Sequence, residues 1–72
     1  MKYVIAVFSS RSETLSFANY LKKFGYPNAI VSTPKVASRS CGISVKFRYE
    51  DFENVKKMVS SLRFSTFMGF YM

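Results

Sequence analysis

At 72 residues the chain holds one domain, residues 1–72, and a domain this short buries only about 60% of its unfolded surface, so its core is thin. A hydrophobic share of 49% excludes a disordered chain, and a single cysteine excludes an internal disulfide. Eleven Lys and Arg stand against four Asp and Glu, and the resulting net charge of +7 favours an anionic partner such as a nucleic acid, a phosphate compound or an acidic protein. Lysines spread evenly over the surface would give the same balance.

Residues 2–8 are apolar after Lys2 and rich in β-branched and aromatic side chains, which predicts a central strand. The run is too short for a leader sequence, because Ser9-Ser10-Arg11-Ser12-Glu13 turns polar at once. No stretch reaches the roughly 18 apolar residues of a membrane span. Ser10 and Glu13 have the spacing of a capping box, in which the Ser10 hydroxyl accepts an N–H three residues on and Glu13 reaches back to the Ser10 N–H. Leu15, Ala18 and Leu21 then recur at helical spacing, with Phe17, Tyr20 and Phe24 alongside, until Gly25 and Pro27 stop the pattern. A helix over 11–24 follows from this.

Residues 28–32 read as a second strand around Ala29-Ile30-Val31, and 33–42 as a loop. In residues 43–48, Ile43, Val45 and Phe47 alternate with Ser44, Lys46 and Arg48, the pattern of a half-buried strand. Glu50-Asp51 begins a second helix with Phe52, Val55, Val59 and Leu62 on one stripe; its acidic start and later Lys56-Lys57 suit the helix dipole. Residues 66–71 form the last strand. The order β-α-β-β-α-β predicts an α+β, ferredoxin-like two-layer sandwich: a four-stranded antiparallel sheet in the order 4-1-3-2, with both helices on one face.

That topology gathers Arg11, Lys35, Arg39, Arg63, Cys41 and the start of the first helix at one end of the molecule. Nearby cations and helix N–H groups favour the thiolate, the nucleophilic form of cysteine. Gly42, directly after Cys41, would admit a close backbone or ligand. Ser10, Arg11, Lys35 and Arg39 are the candidate anion-binding groups, because the same geometry suits a phosphate or other oxyanion. Against this, single cysteines are often buried and inert.

Ser9, Ser10 and Ser12 read as helix caps rather than nucleophiles, because no histidine exists to act as a base. One cysteine and no histidine exclude an ordinary zinc or iron–sulfur site, and three scattered glycines form no phosphate loop. Glu50, Asp51 and Glu53 are explained by a helix start. No metal or other cofactor is implied, and a hydrolase or kinase is not expected. One free thiol points to a reducing, cytoplasmic setting.

Over Thr33-Pro34-Lys35-Val36-Ala37-Ser38-Arg39-Ser40-Cys41-Gly42-Ile43 the chain resembles a family of short bacterial domains known as putative selenium/sulfur carrier protein-like, formerly a domain of unknown function. The resemblance extends in element order over nearly the whole chain. It implies that Cys41 carries sulfur or selenium as a persulfide or selenopersulfide, with Pro34 and Gly42 shaping its loop. The chain departs from the family pattern at Lys35, where arginine is usual, and at Ala18 and Asn19, where charged residues are commoner. Lysine keeps the charge but loses the bidentate fork.

Three function classes remain. A carrier or thiol relay would take its cargo from a donor protein and pass it to an acceptor, with Lys35, Arg39 and Arg11 stabilising the anionic terminal atom. An RNA- or nucleotide-binding module would use the open sheet face, where Lys46, Arg48 and Tyr3 are expected; strand three there supplies charge without rings. A regulatory or assembly module, monomeric or dimeric, would use an apolar part of that face, with Ile5, Val7, Met68 and Phe70 as candidates.

Overall fold

The structure, a computed structural model, describes residues 2–34 and 42–71. The chain runs β1 (Tyr3–Phe8), α1 (Arg11–Lys23), β2 (Asn28–Ser32), β3 (Ile43–Arg48), a 3-10 turn (Tyr49–Asp51), α2 (Phe52–Leu62) and β4 (Phe67–Tyr71). The sheet order is β2-β3-β1-β4, and all three pairings are antiparallel. This is the ferredoxin-like α+β arrangement.

Side-chain alternation decides which face of the sheet the helices cover. Val4, Ala6 and Phe8 of β1 and Val45 and Phe47 of β3 form one buried cluster with Phe17 and Leu21 of α1 and Val55 and Val59 of α2. Both helices therefore lie on that face. Phe8 sits among Phe17, Phe64 and Phe67, with ring centroids 5.2, 5.3 and 5.3 Å away. Phe70 links Phe67, Phe52 and Phe47 at 4.9, 5.0 and 6.0 Å. Such ring pairs contribute about 0.5–1.5 kcal/mol each beyond area burial, which matters where the core is small.

The helix boundaries have local causes. Ser10 caps α1, its hydroxyl accepting the Glu13 N–H at 3.3 Å. At the other end the Gly25 N–H reaches the Lys22 carbonyl and the Tyr26 N–H the Leu21 carbonyl, a Schellman closure that needs the positive φ of Gly25, 83°. Glu50-Asp51, expected as the first residues of the second helix, instead belongs to the 3-10 turn ahead of α2. Arg48 holds the Asp51 carboxylate at 3.1 Å there. α2 ends at Arg63, whose φ and ψ of 51° and 53° are left-handed.

Phe70 is corrected as an open-face candidate: its ring packs among Phe47, Phe52 and Phe67 on the helix side. The unbroken apolarity of Phe67-Met68-Gly69-Phe70-Tyr71 conceals which alternate residues point inward, and an irregularity in the β1–β4 pairing at Val7/Phe8 shifts the register. Val7 does point away from the helices, yet it is fully buried.

Candidate functional site

The loop carrying the thiol springs from the end of the sheet where β1 stops. Val7, near that end, pairs with Ser44 at the start of β3, and Ser32 pairs with Ile43. Two hydrogen bonds tie the loop's stems. The Thr33 N–H donates to the Gly42 carbonyl at 3.1 Å, and the Thr33 and Ser44 hydroxyls lie 2.7 Å apart, which satisfies the fully buried Ser44. Gly42 has φ 93°, a conformation side chains rarely adopt. Among the described residues nothing lies within 4 Å of where a Cβ would stand.

Ser9, Ser10 and Arg11 follow β1 at this same end. The Ser9 N–H donates to the Thr66 carbonyl at 2.9 Å, and Arg11 is the exposed first residue of α1. Arg63 lies nearby in sequence to the turn that carries Thr66. The Ser10 hydroxyl oxygen is engaged in capping, and its carbonyl accepts both the N–H and the hydroxyl of Thr14, at 3.0 and 2.8 Å. Pro34 stands half-buried at the loop's entry. Lys35, Arg39 and Cys41 lie outside the described residues.

Glu13 departs from the capping-box expectation. Its carboxylate crosses to the turn before β4, accepting the Thr66 N–H at 3.2 Å, the Thr66 hydroxyl at 2.9 Å and the Ser65 hydroxyl at 2.9 Å. The backbone N–H of Thr66 holds its carboxyl below the usual carboxylate range; partial desolvation opposes this, and the two hydroxyls assist it. The first turn of α1 thus already contains a carboxylate, anchored by groups outside the helix. Sequence spacing cannot distinguish this arrangement from a capping box, because the partners are more than 50 residues away.

The face away from the helices is built in rows. Ala29, Lys46, Ile5 and Tyr71 lie side by side across all four strands, with Arg48 and Tyr3 in the adjoining row. The Lys46 ammonium sits 4.5 Å from the centre of the Tyr3 ring. At an exposed site such a contact is worth only about 0.5–1 kcal/mol, so a competing ligand can displace it. A groove of about 260 Å³ opens beside it, lined by Tyr3, Pro27, Asn28, Ala29, Lys46 and Arg48. Strand three carries no ring on this face; Tyr3 stands on β1 beside it and Tyr71 on β4 beyond β1.

Among the described residues no group of three or more His, Cys, Asp or Glu could hold a metal ion, and no helix is long and apolar enough to cross a membrane. The architecture defines a small ferredoxin-like domain whose β2–β3 connection bears the sole thiol of the chain. A family model described as "Putative Se/S carrier protein-like" matches residues 2–66, and the chain belongs to that family. No curated protein and no solved structure matches it.

Proposed function

We propose that the protein carries sulfur or selenium on Cys41 as a persulfide or selenopersulfide. The observation that carries this reading is the family match over residues 2–66, which spans the Pro34–Gly42 segment and the chain's only thiol. The tied stems of the loop and the positive φ of Gly42 support it, because they give the segment a fixed exit from the sheet.

The step is an exchange without net redox change. The Cys41 thiolate attacks the terminal sulfur of a donor protein's persulfide. A new sulfur–sulfur bond forms on Cys41, the donor's sulfur–sulfur bond breaks, and the donor leaves as a thiolate. An acceptor nucleophile then attacks the carried atom and releases the Cys41 thiolate. Lys35 and Arg39 in the loop, with Arg11 and the Ser10 hydroxyl at the start of α1, stabilise the anionic terminal atom. Pro34 and Gly42 shape the loop around it. The partners are donor and acceptor proteins, and the setting is cytoplasmic, where the thiol stays reduced.

Intact-mass spectrometry after incubation with a cysteine desulfurase and cysteine tests the reading. The wild-type protein gains one reducible sulfur atom, and Cys41→Ser gains none. A wild-type protein that gains no sulfur while its thiol remains open to alkylation overturns the proposal.

A further inference from the structure

The sheet face away from the helices offers a candidate binding surface at the end where Tyr3 pairs with Arg48. The strand residues facing away from the helices include Tyr3, Ile5, Ala29, Lys46, Arg48 and Tyr71, and no carboxylate stands among them. Of the four acidic side chains, Glu13 is engaged with Ser65 and Thr66, while Glu50 and Asp51, just past the end of β3, neutralise Arg48 and leave Lys46 as the cation of this face. Glu53 belongs to α2. Lys46 has no acidic partner among the described residues, and its ammonium overhangs the Tyr3 ring. Tyr3 is 40% exposed despite standing within a strand.

From this we infer that this sheet face binds a single-stranded polynucleotide, its bases stacking on Tyr3 and Tyr71 and a phosphate meeting Lys46. Tyr71 pairs with Ile5, two residues along β1 from Tyr3, so the two tyrosines stand on a diagonal of adjacent strands. Diagonal neighbours are about 7–8 Å apart, a span that two successive bases reach once unstacked from each other. Ile5 lies between the rings as an apolar floor, and the groove by Ala29 and Lys46 continues the path towards β2. An acidic peptide would be drawn by the same cation but would have no use for paired rings. A duplex keeps its bases stacked internally and offers the rings nothing.

Fluorescence anisotropy with a labelled single-stranded ribo-oligonucleotide of about eight nucleotides tests this. Saturable binding is expected, weakening with salt at a log–log slope of about −0.7, as one phosphate contact gives. Tyr3→Ala and Tyr71→Ala each weaken binding by about fivefold to a hundredfold, the loss typical of one stacked base. Tyr3→Phe keeps the ring and the binding, which separates stacking from damage to the fold. Lys46→Gln flattens the salt slope, whereas Lys57→Gln on α2 leaves affinity and slope unchanged. Cys41→Ser binds as the wild type does, so the result stands apart from the carrier reading. Absence of saturation, wild-type affinity in both tyrosine-to-alanine variants, or equal competition by a duplex or by polyglutamate overturns the inference.

Discussion

The Glu13 carboxylate accepts two hydrogen bonds from Thr66, one from its backbone N–H at 3.2 Å and one from its hydroxyl at 2.9 Å, and so joins the first turn of α1 to the turn that delivers β4. Its pKa is lowered in the folded state, chiefly by the Thr66 N–H. A depressed carboxylate contributes stability that is fully present above its unfolded pKa and is lost as pH falls through the folded one. Urea unfolding midpoints of the wild type should therefore fall more steeply below the ordinary glutamate range than those of Glu13→Gln, and the two curves should converge in acid. Parallel curves would remove the role assigned to this carboxylate.

Phe8 is the aromatic hub. It is fully buried and packs against three other rings, Phe17 of α1, Phe64 of the α2–β4 turn and Phe67 of β4. Phe8→Ala should cost about 3–5 kcal/mol, the range for emptying a buried aromatic site. Stability of about 0.05–0.15 kcal/mol per residue leaves a short chain little beyond that. Calorimetry should show a greatly weakened or absent transition, whereas truncating the exposed Leu15 to alanine should lower the midpoint only slightly.

Two left-handed backbone positions should respond in opposite directions. Arg63 adopts φ 51° at the end of α2 with a side chain that disfavours it, so Arg63→Gly should stabilise by about 1 kcal/mol. Gly42 adopts φ 93°, so Gly42→Ala should destabilise by about 1–3 kcal/mol through backbone strain, since among the described residues a Cβ there meets no neighbour. Denaturant melts of both variants supply the check.

The carrier proposal has a kinetic signature. Alkylation of Cys41 followed across pH should reach half its maximum well below about 8.5, the value of an ordinary free thiol. Replacing Lys35 and Arg39 with glutamine should move that midpoint upward towards 8.5, again by about a pH unit or more if both cations act on the thiolate. A midpoint that stays at the free-thiol value in the wild type would argue against an activated sulfur.

The architecture was legible where local pattern and packing agree. The strict alternation of Ile43–Arg48 marked β3, and Ser10 and Gly25 marked the ends of α1 within a residue. Once six elements were ordered, handedness and short connections left one sheet order. What stayed hidden depends on partners distant in sequence. Glu13 could be read only against Ser10 three residues away, although its carboxylate belongs with Ser65 and Thr66. Tyr71 sits in an unbroken apolar run without a period, so only the pairing of Ile5 with Tyr71 reveals its face. The tight turn at Tyr49–Asp51 depends on a guanidinium held by two carboxylates, a geometry that composition does not encode. Of the site residues, Ser10, Arg11, Pro34 and Gly42 have places in the described fold, whereas Lys35, Arg39 and Cys41 lie outside the described residues.

The sheet's two outer strands, β2 and β4, are each five residues long, and neither carries a charged side chain. Edge strands of this kind can template pairing with another molecule, and Ile30 on β2 is 42% exposed. The net charge of +7 opposes such pairing by repulsion, whose reach contracts from about 30 Å to about 3 Å as ionic strength rises from 0.01 to 1 M. Light scattering across ionic strength should therefore show association rising with salt if the edge strands pair between molecules.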